Sequence, residues 1–137
     1  MVLLDANVVI YYLDETAEKN AETVSLLQNL VDEHEQLVTS HHVIEEVLYA
    51  LSKIQPDANL LNAVHRIGDI PGIILAEPSP NLAFAERYSA LRDKLQMGIN
   101  DALLLQLMLD AGISTLFSYD KQFVRRATEL GIKQITG

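Results

Sequence analysis

Four acidic side chains in this sequence stand among apolar neighbours: Asp5, Glu46, Asp101 and Asp120. Asp5 lies between the apolar runs Val2–Leu4 and Val8–Ile10, and Glu46 sits within HHVIEEVLYAL. Asp101 opens DALLLQLML, and Asp120 is embedded in FSYDKQF. Unpaired carboxylates about 4 Å apart repel by roughly 4 kcal/mol per pair at an effective dielectric of about 20. A pocket that gathers them must therefore shift their protonation or bind cations. Hard oxygen ligands favour Mg²⁺ or Mn²⁺. One or two such ions can deprotonate a water and steady the oxygens of a phosphodiester during in-line attack. The predicted chemistry is metal-assisted hydrolysis, with Asp5, Glu46, Asp101 and Asp120 as metal ligands and catalytic groups.

Each of the four also has a plainer use. Asp5 could cap the helix that follows it, and Asn7 could take that role or orient Asp5. An acid in a first helical turn, as at Asp101, is favoured by the helix dipole. Asp120 could cap the next helix. Glu45 and Glu46 point about 100° apart around a helix, so only one can face a shared site. Glu46 is the choice, because its turn also carries Val43 and Ala50 toward the core. Most of the nineteen acids, such as Glu15, Glu18, Glu22, Asp32, Glu86 and Asp93, fit solvated helix faces or loops.

The elements that must position these groups alternate between two periodicities. Short apolar runs predict strands at Val2–Leu4, Gln36–Ser40, Ile73–Ala76, Ser114–Ser118 and Ile132–Ile135. Helical spacing predicts helices at Asn7–Leu13, Ala17–Asp32, His42–Ser52, Asn59–Asp69, Pro80–Leu95, Asn100–Ala111 and Asp120–Leu130. In the second of these, Ala21, Val24, Leu27, Leu30 and Val31 form the expected apolar stripe. Pro80 suits a first helical turn, Asn100 reads as a cap, and Gly112 and Gly131 stand just past helix ends. Strands alternating with helices argue for a parallel sheet covered on both faces. Ligands bind such sheets beyond the carboxyl ends of the strands. Asp5 and Asp120 are both expected at that edge.

The bulk numbers agree with one domain over residues 1–137. An apolar fraction of 49% is enough for a core at this length. The chain has no Cys, so disulfides and thiolate zinc sites are excluded. No apolar run approaches the ~18–20 residues of a membrane span, and MVLLDANVVI carries no basic leader. A soluble, cytoplasmic protein is expected. The net charge of −9 disfavours sequence-independent nucleic-acid binding through Lys and Arg, although metal ions can supply positive charge locally.

Four segments, taken in order, resemble the PIN-domain ribonucleases, and especially the VapC-type toxins of prokaryotic toxin–antitoxin pairs. Leu4-Asp5-Ala6-Asn7-Val8-Val9-Ile10 is similar to the family's opening strand and first metal-binding Asp. Thr39-Ser40 followed by Glu46-Val47-Leu48 resembles the second strand and the helix with the family's Glu. Asn100-Asp101-Ala102-Leu103 resembles the third acidic position, and Ser118-Tyr119-Asp120-Lys121-Gln122-Phe123 the (T/S)-x-D-x-x-F segment. The resemblance spans essentially the whole chain. It implies an α/β fold, a PIN-like three-layer α/β/α sandwich with a central, mainly parallel sheet. It also implies an endoribonuclease that uses Mg²⁺ or Mn²⁺ on RNA, often as a homodimer, with a cognate antitoxin for the toxins. By position, Asp5, Glu46, Asp101 and Asp120 carry over as metal ligands, and Asn7 and Ser118 as supporting polar groups. Gln122 departs from the pattern, since many members place another acid there, which bears on a second metal site.

Several other residues are assigned quieter roles. Ser40 reads as a turn residue. His41 and His42 lack a helical i, i+4 partner, which argues against metal binding and leaves RNA contact. His65 reads as a helix-surface residue. Tyr11, Tyr12 and Tyr119 could stack on bases, with core or rim packing preferred. Two rival functions stand beside the nuclease. Asp5-Ala6-Asn7-Val8-Val9 faintly resembles the nucleophile loop of haloacid-dehalogenase-type phosphatases, but Asn7 replaces its second Asp. A PIN-fold protein-interaction module with a degenerate site is the other, and the presence of all four acids weighs against it.

Overall fold

A computed structural model of the chain describes residues 1–135; the last two residues of the predicted domain lie outside that range. Five strands are present among the described residues: β1 (Val2–Leu4), β2 (Leu37–Thr39), β3 (Ile74–Leu75), β4 (Thr115–Phe117) and β5 (Lys133–Gln134). Seven helices connect them: α1 (Ala6–Leu13), α2 (Asn20–Asp32), α3 (His41–Ile54), α4 (Leu60–Gly68), α5 (Leu82–Leu95), α6 (Ile99–Ala111) and α7 (Lys121–Glu129). The strands form one sheet in the order β3-β2-β1-β4-β5, and every pairing is parallel. The sheet is thus wholly parallel where a mainly parallel one is expected.

The three inner strands carry apolar side chains on both faces, as a sheet covered on both sides requires. Val2, Leu3, Leu4, Leu37, Val38, Leu116 and Phe117 are all buried. The edge strands β3 and β5 are two residues long and exposed, which limits the unpaired backbone they offer to other chains.

Parallel crossovers are right-handed. From β1 the chain steps to β2 and β3 on one side, then returns past β1 to β4 and β5. That reversal places α1–α4 over one face and α5–α7 over the other. The helix contacts agree: α1 meets α2, α3 and α4, while α5 meets α6. The result is the α/β/α sandwich. It also puts a switch point between β1 and β4, where the crevice of such a sheet opens.

Helix α6 buries Ala102, Leu104, Leu105, Leu107 and Met108. Its middle is apolar on most sides, while Ile99, Asn100 and Leu109–Ala111 at its ends are exposed. Helix α7 is anchored through Phe123 and Ala127.

Some boundaries differ from the sequence reading for local reasons. Helix α2 begins at Asn20, not Ala17, because Asp14 captures the chain first. Its carboxylate accepts from the Thr16 N–H and hydroxyl at 3.0 and 2.6 Å, a side-chain turn that competes with helix. The buried face of α2 is Thr23, Leu27 and Leu30, while Ala21 and Val24 face solvent. Pro80 precedes α5 rather than lying in its first turn, since Asn81 occupies the cap position. Gly98 holds that position for α6, which puts Asn100 inside the first turn and not at the cap. Gly112 and Gly131 do stand past helix ends, at φ 68° and 81°, in the left-handed region that glycine tolerates. No helix among the described residues is long and apolar enough to cross a membrane.

Candidate metal centre

The fork between β1 and β4 is held together by side chains from both strand ends. Asp5 follows β1 directly, and its N–H donates to the Phe117 carbonyl at 3.0 Å. Its buried carboxylate uses both oxygens. Oδ1 accepts from the Ala6 N–H at 2.8 Å, capping α1. Oδ2 accepts from the Ser118 hydroxyl at 2.7 Å and from Asn7 Nδ2 at 3.3 Å. Asn7 also reaches the other strand, its Oδ1 accepting from the Tyr119 N–H at 3.0 Å. Ser118 Oγ in turn accepts from the Asp120 N–H at 3.0 Å. Asp5 therefore caps a helix and faces the crevice; the two readings of this residue coexist.

Asp120 also caps a helix. Its Oδ1 accepts from the N–H groups of Gln122 and Phe123, at 3.0 and 3.2 Å. Oδ2 has no hydrogen bond among the described residues and stays available to the crevice. Glu46 arrives from α3, on the other side of Asp5, and Asp101 from the first turn of α6. One helix approaches from each face of the sheet, so the four acids descend from both layers and from both central strands. Together with Asn7, Ile10, Tyr49 and Asn100 they line a pocket of about 370 Å³. No Lys, Arg or His is part of that lining. Glu45 is exposed on α3, as its 100° offset requires.

The pocket raises the proton affinity of Asp5, Glu46 and Asp101. Burial pushes the Asp5 carboxyl up, and the charge of Asp120 adds to this, against the lowering effect of Ser118 and the Ala6 N–H. Burial also raises Glu46, with Asp5 contributing in the same direction and the His42 imidazole opposing. Asp101 is pushed up to about 6, by burial first and then by Asp120, Asp5 and Glu46 in turn. Asp101 thus feels the charges of the other three acids, Asp5 that of Asp120, and Glu46 that of Asp5.

This donor set fits a hard divalent cation: oxygen ligands only, mutual repulsion, and no basic side chain in the lining to compensate it. Among the described residues, however, no three Asp, Glu or His side chains are grouped tightly enough to hold an ion as they stand. The acids face one space without forming a closed cage.

His42 was not read from the sequence as part of this neighbourhood. It does have a helical i, i+4 partner, contrary to expectation, and that partner is Glu46. His42 Nε2 and Glu46 Oε1 lie 3.0 Å apart, although without the geometry of a hydrogen bond. The i, i+4 spacing of His42 and Glu46 is visible in the sequence. His41 instead faces Glu77 at 2.6 Å. Ser40 caps α3, accepting from the Val43 N–H at 3.2 Å. Tyr11 and Tyr119 are half-buried and pack on each other at 5.5 Å between ring centres, so rim packing describes them. His65 is exposed on α4.

A family model described as PIN domain matches residues 2–129 of the chain. Among solved structures, the fold is similar to VapC20 of Mycobacterium tuberculosis, described as a sarcin–ricin loop cleaving toxin. The identity is 15%, all of both chains is covered, and the TM-score is 0.71. VapBC2 from Rickettsia felis, solved with a DNA fragment from their promoter, is similar at 19% identity, with 98% of each chain covered and a TM-score of 0.67. FitAcB from Neisseria gonorrhoeae is similar at 16% identity, with 99% of this chain and 97% of that one covered, and a TM-score of 0.66. No curated protein matches the sequence. At these identities the likeness is one of fold.

Proposed function

The chain belongs to the PIN-domain family, and from that premise we propose that it is a divalent-metal-dependent endoribonuclease, with Asp5, Glu46, Asp101 and Asp120 as its metal ligands. The observation that carries this reading is the convergence of four acids on one pocket whose lining includes no basic side chain. A Mg²⁺ or Mn²⁺ ion held there supplies Lewis acidity and positive charge for the attack of water on an RNA phosphodiester. The products are a 5′-phosphate and a 3′-hydroxyl.

The protein's own contribution is orientation. Asp5 is fixed by Ala6, Asn7 and Ser118 before any ligand arrives, so it needs no rearrangement when it binds. Asn7 ties the ends of β1 and β4 together and keeps Asp5 and Asp120 at a constant separation. Asp120 is held through one oxygen and presents the other. Asp101 and Glu46 complete the ring from opposite faces of the sheet.

The likeness to VapC20, VapBC2 and FitAcB supports a narrower role as the toxin of a toxin–antitoxin pair; action as a cytoplasmic homodimer is proposed from the sequence resemblance alone. An acid-lined pocket on a chain of net charge −9 suits a basic antitoxin segment whose Arg pairs with the carboxylates.

Cleavage of RNA oligomers with and without EDTA tests the enzyme directly. We expect activity to vanish with chelator, to return with Mg²⁺ or Mn²⁺, and to be absent in a folded Asp5→Ala protein. A 2′,3′-cyclic phosphate product would contradict the mechanism. Absence of Mn²⁺ binding, together with no loss in Asp5→Asn, would favour the degenerate interaction module. Hydrolysis of phosphate monoesters with RNA left intact would favour the phosphatase.

A further inference from the structure

A second concavity, of about 690 Å³, is lined by Ser118, Tyr119 and Lys121, which flank Asp120 of the acid pocket in the chain. Its walls are the start of α2, one face of α7 and the end of β5. Its charge is opposite in kind to that of the pocket next door. Lys19, Lys121 and Arg125 line it, with Glu22 and Glu129 as its acids. Both acids are already engaged: Glu22 faces Lys19 at 3.6 Å, and Glu129 faces Arg126 at 3.2 Å. Lys121 and Arg125 make no ion pair among the described residues. On a chain with nineteen acids and ten Lys and Arg residues, two adjacent uncompensated cations are a local exception to the overall field.

Their register relates them to the candidate metal centre. Lys121 follows Asp120 directly, and Arg125 lies one helical turn further along α7, about 6 Å away along the axis. Ser118 and Tyr119 line the groove, and Asp120, the next residue along the chain, lines the pocket. Any polyanion whose reacting phosphate sits among the four acids must leave that repulsive pocket on one side or another. The step from Asp120 to Lys121 leads directly to positive charge, over a floor that includes Val124 and Ile135.

We propose that this groove is a phosphate-binding subsite for the nucleotides that flank the scissile bond, with Lys121 and Arg125 pairing to successive backbone phosphates. The inference rests on the ribonuclease reading above. Two kinds of experiment distinguish them. In steady-state cleavage of a single-stranded RNA oligomer, Lys121→Gln/Arg125→Gln is expected to raise KM about tenfold and leave kcat within about twofold, as loss of uniform binding does. In fluorescence-anisotropy binding of the same oligomer to Asp101→Asn protein, the double substitution is expected to reduce the slope of log affinity against log salt by about 1.4, for two phosphates on a single strand. Arg92→Gln/Lys94→Gln, on the exposed end of α5, makes the same change in net charge away from the groove. It is expected to leave KM and the salt slope unchanged.

An unaltered KM and slope in the α7 variant, with parental cleavage intact, would overturn the subsite and leave the ribonuclease reading standing. So would an equal effect from the α5 variant, which would reduce the result to net charge. A parent protein that neither cleaves nor binds RNA would remove both proposals.

Discussion

Without a cation, ionising Asp101 sets its negative charge beside those of Asp120, Asp5 and Glu46. Burial first, and then these charges, hold its carboxyl at about 6 in the folded protein, against 3.8 for the free side chain. The linkage follows from that direction. Below about pH 3.8 the group is protonated in both folded and unfolded chains, and its favourable contribution is complete. As pH rises through about 6, the folded protein must ionise a group it prefers neutral, and that contribution is lost. Asp5 and Glu46 are raised as well and act in the same sense. We therefore expect Asp101→Asn to stabilise the metal-free protein at pH 7.5 by about 1–2 kcal/mol, after allowing for the water that reaches a partly exposed carboxyl. The advantage should disappear near pH 4. Thermal melts in EDTA across that range measure it. A flat difference between the two proteins would show that Asp101 does not feel the other acids.

At the scale of elements, Asp120 serves both the end of α7 and the pocket, and substitutions can separate these uses. Asp120→Ala removes the cap and should cost about 1 kcal/mol, whereas Asp120→Ser keeps a capping oxygen and should fold nearly as stably as the parent. Both are expected to lose RNA cleavage. Urea denaturation combined with the cleavage assay checks the pair. Retained cleavage in Asp120→Ser would limit this residue to its structural use. The same double use explains what could be read from the sequence. Each strand and helix was legible, because apolar runs of three or four residues alternate with helical stripes. Asp5, Glu46, Asp101 and Asp120, which line one pocket, stand out in the sequence as candidates because an acid within an apolar run calls for a reason. What escaped was decided by competing side chains. Asp14 captured Thr16 and delayed α2, and Thr23, bonded to Lys19 and Tyr119, helped turn the buried face of that helix away from Val24. The placement of Asn100 and Tyr49 on the pocket depends on how α3 and α6 are rotated about their axes. Tertiary packing sets that rotation, and short motifs do not encode it.

For the molecule as a whole, an acidic pocket that repels itself makes metal binding and stability one equilibrium. A divalent ion that binds only the folded chain, supplied at 100 times its dissociation constant, should add about 2.7 kcal/mol. Calorimetric melts with Mn²⁺ at neutral pH should show this rise. It should shrink as pH falls through about 6, where protons compete for Asp101. An unchanged melting temperature at saturating Mn²⁺ would argue that the acids hold no ion. The wholly parallel sheet has a further effect, because its neighbouring central strands lie far apart in sequence. Asp5 receives its shortest hydrogen bond from Ser118, 113 residues away, and β1 pairs with β4 across the same interval. A ribosome releasing this polypeptide delivers Asp5 long before Asp120. Fragments left by interrupted translation would carry some of the acids without the partner strand that gathers them. The acid pocket is thus not assembled in the nascent protein until β4 and Asp120 have emerged.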